Sequence, residues 1–78
     1  MKLKVKYFGL IAEFVGASEQ SVIAKGLSVQ DLRHQLETEY PKLKTITYQI
    51  AVNQKITSDQ YLFNDGDELA LLPPFAGG

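Results

Sequence analysis

The sequence contains no cysteine, no tryptophan and only one histidine among its 78 residues. Without cysteine the chain can form no disulfide, no thiolate zinc site and no cysteine-bound iron–sulfur cluster. Small secreted domains usually need such cross-links, because a core of this size contributes little stability. The first six residues also alternate between apolar and charged side chains and lack the continuous apolar segment of a signal peptide. We therefore expect a cytoplasmic protein.

Neither sign of charge predominates, and no long apolar run is present. Lysine and arginine together number 8 and aspartate and glutamate 9, for a formal net charge of −1. This balance argues against a nucleic-acid-binding protein and against a polybasic membrane-surface protein, because both carry a basic excess. No apolar run approaches the roughly 20 residues that span a bilayer. A hydrophobic content of 45% is typical of a folded chain, and residues 1–78 are interpreted as one small domain.

Apolar periodicity divides the chain into strands and one main helix. Strands alternate apolar and polar residues, whereas a helix repeats its apolar residues three and four apart. Gly16, Asn53–Lys55 and Asn64–Asp67 are turn or helix-stop signals, since glycine, asparagine and aspartate adopt turn dihedral angles at low cost. The predicted elements, in chain order, are a strand over residues 3–8, one or two helical turns from Leu10 to Val15, a strand from Glu19 to Ala24, a helix over residues 29–39, a strand within Ile46–Val52, a short strand around Ile56 and a last strand from Glu68 to Leu72.

The main helix has the clearest boundaries of these elements. Ser28 is expected to cap its first turn, with Asp31 in the complementary capping position. Pro41 closes it, because the residue before a proline avoids helical geometry. The apolar stripe that should face the core contains Val29, Leu32 and Leu36, and Tyr40 could extend it.

The order of the elements, strand, strand, helix and then two or three strands, predicts an α+β fold. One main helix would pack across one mixed sheet of four to five strands, with the first and last strands parallel neighbours at its centre. This arrangement is the β-grasp, or ubiquitin-like, fold. Pro73 and Pro74 end the last strand, because proline cannot donate to a sheet ladder. Residues 73–78 are left as a flexible C-terminal tail that ends in two glycines.

No set of side chains in the sequence forms a recognisable catalytic centre. His34 lies about 200° around the helix from Leu32, so we expect it to be exposed to solvent rather than catalytic. The serines have no base and orienting partner, and no glycine-rich loop connects a strand to a helix to cradle a phosphate. We expect no metal site and no bound cofactor. Turn formation and solubility explain the carboxylates of Glu37, Glu39, Asp65, Asp67 and Glu68.

The tail offers a different functional group, the terminal carboxylate of Gly78. A frayed end is the default interpretation of a terminal glycine pair. Here, however, the tail follows the last strand directly, and the two prolines stiffen its root. Glycine has no side chain, so Gly77 and Gly78 can pass through a narrow tunnel in another protein. The carboxylate, with a reference pKa of about 3.3–3.7, is ionised at neutral pH. A partner enzyme would have to activate it, for example as an acyl-adenylate.

Several segments along the chain carry a resemblance to a known family. The most specific is Asp65–Gly78, in which Asp-Gly-Asp-Glu, an apolar strand, Pro-Pro and Gly-Gly follow one another. Over essentially its whole length the chain resembles the small subunit of molybdopterin synthase, a MoaD-type ubiquitin-like sulfur carrier. The other matching segments are Lys4–Gly9, Glu13–Gly16, Val29–Arg33 and Ala51–Gln54.

The resemblance implies a sulfur carrier for molybdenum cofactor biosynthesis that is not an enzyme by itself. An E1-like adenylating enzyme would use ATP to activate Gly78, and sulfur would then replace AMP to give a thiocarboxylate. Within the large subunit of molybdopterin synthase, this sulfur would pass to cyclic pyranopterin monophosphate. The family's complex is a heterotetramer of two small and two large subunits. The residues that would thread into the large subunit are Pro73, Pro74, Phe75, Ala76 and Gly77.

A docking surface should accompany the tail, and Phe8, Ile56 and Leu72 are its predicted partner-binding residues. The alternation places Phe8 on the polar face of the first strand and Leu72 on the outward face of the last strand. An exposed apolar cluster rimmed by charge marks a protein interface. The competing interpretation is that these side chains are buried under the short helix or under residues 58–63.

Other functions remain open at this point. A related carrier could deliver sulfur for thiamin thiazole or for tRNA thiolation, with the same chemistry at Gly78 and a different acceptor. A ubiquitin-like modifier would instead join Gly78 to lysines of other proteins. A plain interaction module would not need Gly77 and Gly78 at all.

Overall fold

The computed structural model describes residues 1–73. The structure therefore does not test the predictions for the last five residues, which lie outside the described range: Pro74, Phe75, Ala76, Gly77 and Gly78. A short 3-10 helix over Pro41–Thr45, which was not predicted, follows the main helix. The other elements, in chain order, are β1 (Lys2–Tyr7), α1 (Gly9–Val15), β2 (Glu19–Ile23), α2 (Val29–Glu39), β3 (Gln49–Val52), β4 (Lys55–Ile56) and β5 (Glu68–Leu72).

The strands form one mixed sheet in the order β2-β1-β5-β3-β4. At its centre β1 and β5 run parallel, with Lys4 opposite Glu68 and Tyr7 opposite Leu71. The other three neighbouring pairs are antiparallel. A five-stranded mixed sheet with one main helix is the predicted α+β, β-grasp architecture, and the prediction that the first and last strands pair in parallel is confirmed.

One face of the sheet is buried against the helices. Every second residue of β1 and β5 points into the core, as the two-residue period of a strand requires, and the apolar stripe of α2 packs against them. Leu43, from the unpredicted 3-10 helix, is also fully buried. The largest fully buried side chains are Leu3, Val5, Ile11, Val29, Leu32, Leu36, Leu43, Ile50, Leu69 and Leu71.

The first turn of α2 is closed by the predicted capping box. The backbone N–H of Asp31 donates to Ser28 Oγ at 3.1 Å, and Asp31 Oδ2 accepts from the backbone N–H groups of Ser28 and Leu27 at 3.2 and 3.1 Å. The hydrogen bonds from Ser28, followed by the one from Leu27, hold the pKa of the Asp31 carboxyl below its usual range. Three N–H groups that the helix itself cannot satisfy thereby gain partners.

The boundaries of β1 and α1 differ by one residue from the prediction. β1 ends at Tyr7, and Phe8 is an extended residue (φ −126°, ψ 151°) that caps α1 instead of closing the strand. α1 ends as predicted, because Gly16 takes the left-handed conformation with φ 84°.

The structure corrects the interpretation of the Asp67 carboxylate as one that serves only turn formation and solubility. Its side chain is only 6% exposed. Asp67 Oδ1 accepts from Asn53 Nδ2 at 2.9 Å, and Oδ2 accepts from the Asn64 backbone N–H at 2.9 Å and the Tyr61 hydroxyl at 3.2 Å. Burial alone would raise the pKa of this carboxyl, but the three hydrogen bonds outweigh it and lower the pKa. Asp67 therefore fastens the loop before β5 to the turn after β3.

Candidate functional site

The sheet face opposite the core, here called the outer face, carries the predicted docking residues. Residues that alternate with the core positions lie on this face. One row crosses four strands, because Lys6 pairs with Ala70, Ala70 with Ala51 and Ala51 with Ile56. The next row places Leu72 opposite Gln49. In this row the small side chains of Ala70 and Ala51 separate the long side chains of Lys6 and Ile56.

The outer face has a mainly charged half, which also carries the exposed Ile23 opposite Lys2, and a mainly apolar half. On the β1–β2 side, Lys4 Nζ lies 3.5 Å from Glu19 Oε2, and Lys6 Nζ lies 3.1 Å from Glu68 Oε1. These four side chains are each about two-fifths to one-half exposed, so the pairs contribute little stability and remain available to solvent. The apolar half consists of Ala51, Ile56, Ala70 and Leu72.

The structure exposes two of the three predicted docking residues and leaves the third half-buried. Phe8 is 44% exposed and Ile56 is 55% exposed. Leu72 is half-buried at the end of β5. Ile56 and Leu72 share the outer face, and the parallel register that pairs Tyr7 with Leu71 brings Phe8 to the same end of the sheet as Leu72. Exposed aromatic and aliphatic side chains beside charged pairs are typical of protein-binding surfaces.

The tail begins at the end of the sheet that carries Phe8. β5 ends at Leu72, and Pro73, which is half-buried, is the last described residue. Pro73 lies against Gly9, where an ideal Cβ would be only 3.2 Å from Pro73 Cγ. The predicted docking residue Phe8 and Pro73 are therefore neighbours, so a partner bound at this end of the outer face would also lie next to Pro73.

His34 is exposed on α2, as predicted. Among the described residues, no side chain with a shifted pKa forms a reactive site. Burial raises the pKa of the Tyr7 hydroxyl above its usual value, with smaller contributions from Tyr40 and Glu39. Burial, followed by a hydrogen bond to Glu37 at 2.6 Å, raises the pKa of Tyr48. Both hydroxyls stay protonated at neutral pH and serve as hydrogen-bond donors inside the domain.

Residues 1–73 contain neither a metal-binding cluster nor a membrane-spanning helix. No three histidine, aspartate or glutamate side chains in this range lie close enough together to hold a metal ion. None of the helices in the same range is long and apolar enough to cross a membrane.

Comparison with known proteins places this geometry in a family. The family model described as the ThiS family matches residues 5–78. Molybdopterin synthase sulfur carrier subunits from Mycobacterium tuberculosis and Chlamydomonas reinhardtii are 37% and 35% identical to the chain. Both matches cover 100% of the chain, and they cover 99% and 100% of the relatives' own lengths.

Solved structures share the fold over the same length. SAMP1 from Haloferax volcanii superposes with a TM-score of 0.81 at 26% identity, and both chains are fully covered. A chain from the complex of subunits 1 and 2 of molybdopterin-converting factor from Helicobacter pylori superposes with a TM-score of 0.71 at 27% identity, again over all of both chains.

The sheet order, the single main helix and these likenesses define a ubiquitin-like β-grasp domain. The match over nearly the whole sequence shows more: the chain belongs to the ThiS family. The two curated relatives described above are molybdopterin synthase sulfur carrier subunits, which agrees with the resemblance noted in the sequence.

Proposed function

We propose that this chain is the sulfur carrier subunit of a molybdopterin synthase and that the Gly78 carboxylate carries the sulfur. The observation that supports this most strongly is the full-length correspondence with carrier subunits at 35–37% identity. The outer face supports it independently, because its exposed apolar end lies beside the root of the tail.

The proposed chemistry begins with a carboxylate that is unreactive as an acyl donor. At neutral pH a terminal carboxylate is ionised. In the proposed first step a Gly78 carboxylate oxygen attacks the α-phosphorus of ATP, and pyrophosphate leaves. A sulfur nucleophile then attacks the acyl carbon and AMP leaves, so that one carboxylate oxygen is replaced by sulfur. Both steps need a catalyst from another protein, the E1-like adenylating enzyme, and the chain itself acts as substrate and carrier.

The folded body supplies recognition rather than catalysis in this proposal. Phe8 and Ile56 would bury their exposed apolar surface against the large subunit, and the charged pairs of Lys4 and Lys6 would lie at the rim. Apolar anchors surrounded by polar groups are the usual composition of such interfaces. The threading residues Pro73, Pro74, Phe75, Ala76 and Gly77 would then enter the large subunit and bring Gly78 to the acceptor. A heterotetramer with two carriers would supply the two sulfur atoms of the dithiolene in molybdopterin.

Intact-mass spectrometry tests the carrier chemistry directly. The protein is incubated with ATP, a sulfide donor and the cognate adenylating enzyme. The expected product is heavier by the difference between one sulfur atom and one oxygen atom, and fragmentation places the change at Gly78. The matched control is a chain with one alanine added after Gly78, which keeps every described residue unchanged. An unchanged terminus in the wild-type protein would contradict the proposal.

The acceptor is tested separately, because related carriers share the same chemistry. Capture of a molybdopterin synthase large subunit from cell extract, with reconstitution of molybdopterin formation, is the expected result. Capture of a thiazole synthase or a tRNA-thiolating enzyme instead would assign the chain to another pathway.

A protein-modifier role is the second candidate, and the likeness to SAMP1, whose name is small archaeal modifier protein 1, favours it. Isopeptide bonds between Gly78 and lysines of other proteins, detected by peptide mass spectrometry, would support that role in place of sulfur transfer.

A further inference from the structure

Two exposed apolar side chains flank Gly9, the residue that lies against Pro73. Phe8 and Leu10 are each 44% exposed. Between them, an ideal Cβ on Gly9 would be 3.2 Å from Pro73 Cγ. Consecutive Cα atoms are about 3.8 Å apart, so the backbones of Phe8 and Leu10 both lie next to this contact. The exposed apolar surface at this end of the sheet therefore continues from Phe8 onto the first turn of α1.

The contacts of α1 with the core come mainly from residues other than Leu10. Ile11 is fully buried, and Phe14 and Val15 are half-buried against the core. Leu10 lies beside Phe14 at the edge of this apolar stripe, because residues four apart are neighbours on a helix. Its exposed part is therefore apolar surface that faces solvent in the isolated domain.

Position distinguishes Leu10 from the other exposed leucines. Leu62 is 63% exposed. It precedes β5 and forms an isolated bridge with Ser28, whereas Leu10 lies beside Pro73, which follows β5. The two leucines are therefore near opposite ends of this central strand, and only Leu10 is near the start of the tail.

The proposed function limits what can cover Leu10. In that proposal residues 74–78 enter the large subunit, so they cannot cover Leu10 in the complex. The large subunit must then approach Pro73 closely, and the exposed side chains next to Pro73 are within its reach. Residues 9–12 include no charged side chain, so the surface that complements this turn is apolar rather than charged.

We propose that the docking surface continues around the end of the sheet onto α1, where Leu10 buries its exposed part against an apolar patch of the large subunit. The inference rests on the proposed function, since it adds a residue to the proposed interface. Leu10 lies outside the set Phe8, Ile56 and Leu72, and it extends the surface from the strands to a helix.

The experiment compares Leu10→Glu with the matched control Leu62→Glu in the full chain. Calorimetry measures the Kd for the isolated large subunit, and thermal unfolding gives the melting temperature. A carboxylate in the first turn of a helix is favourable, so Leu10→Glu should keep its melting temperature. Burial of that carboxylate in an apolar interface would remove its hydration, so the Kd should rise at least about tenfold, equivalent to about 1.4 kcal/mol. Leu62→Glu should leave the Kd unchanged.

A second pair of variants, Leu10→Ala and Leu62→Ala, replaces the first if Leu10→Glu fails to fold. Truncating a leucine that is nearly half exposed should raise the Kd by about fivefold at residue 10 and leave it unchanged at residue 62.

The outcomes separate this inference from the proposed function. A wild-type chain that binds the large subunit no better than the Leu10 variants do would overturn the role of Leu10 and leave the proposed function intact. Equal losses at residues 10 and 62 would also overturn it, because they would show a general effect of the substitution. A lower melting temperature at unchanged affinity would assign Leu10 to packing within the chain and overturn it as well. A wild-type chain that does not bind the large subunit would overturn both.

Discussion

The burial of Asp67 makes a prediction whose size follows from its hydrogen bonds. Asp67→Asn keeps the shape of the side chain but replaces one acceptor oxygen with an NH₂ donor. If the amide oxygen stays with the Tyr61 hydroxyl and the Asn64 N–H, the NH₂ group faces Asn53 Nδ2, which is also a donor. The Asn53 side-chain amide cannot flip without losing a hydrogen bond, because its Oδ1 accepts from the Glu68 backbone N–H at 3.1 Å.

The substitution therefore loses at least one hydrogen bond to a charged group. Such bonds contribute about 1.5–3 kcal/mol each, so we expect Asp67→Asn to lower the free energy of unfolding by about 2 kcal/mol at pH 7. For a domain of this size, that corresponds to a fall in melting temperature of roughly 10 °C. The control is Asp65→Asn, which makes the same change of charge at an exposed position of the same turn and should have little effect.

The pH dependence gives the prediction its sharpest test. The folded-state pKa of Asp67 is lowered, so its stabilisation is fully present above the unfolded-state pKa of about 3.9 and is lost as the pH falls through the folded-state value. The difference in unfolding free energy between wild type and Asp67→Asn should be constant above about pH 5 and should shrink in more acidic solution. Urea unfolding across this range measures it. A difference that is as large at low pH as at pH 7, or absent at pH 7, would refute the reasoning.

Three further outcomes are expected. Deleting Gly77 and Gly78 should abolish sulfur loading in intact-mass spectra and leave the melting temperature unchanged; retained molybdoenzyme activity in cells carrying the deletion would contradict this. Phe8→Ala should weaken binding to the large subunit by about 2 kcal/mol, roughly 30-fold, as measured by calorimetry, whereas a lower melting temperature at unchanged affinity would place its contribution inside the domain. Ser28→Ala should lower the free energy of unfolding by about 1 kcal/mol through loss of the helix cap, and exposed Ser18→Ala is the control that should not.

Local signals in the sequence predicted most of the fold. The capping box at Ser28, the stop at Gly16 and the alternation of the two central strands each depend on a few neighbouring residues, so they could be found without a structure. The pairing of β1 with β5 joins segments far apart in the chain, and it followed from the order of the elements rather than from any one motif. The 3-10 helix was missed because its single apolar residue, Leu43, shows no periodicity.

The functional residues were predictable to different degrees. Exposure of Phe8 followed from alternation, although Phe8 belongs to the cap of α1 and not to the strand. Ile56 was predicted only as a residue that completes the patch, and it is 55% exposed. The burial of Asp67 could not be predicted, because a turn-forming Asn-Asp-Gly-Asp sequence normally indicates a solvated loop, and the partners Asn53 and Tyr61 lie elsewhere in the sequence. The contact of Gly9 with Pro73 arises only when the two central strands end side by side.

The central position of β5 also has a mechanical consequence. β5 is hydrogen-bonded to β1 on one side and to β3 on the other. A force that draws Pro73 away from the body must therefore shear two ladders at once, whereas an edge strand such as β4 could be peeled from a single neighbour. Any load applied to Pro73 therefore falls on the strand that is hardest to extract.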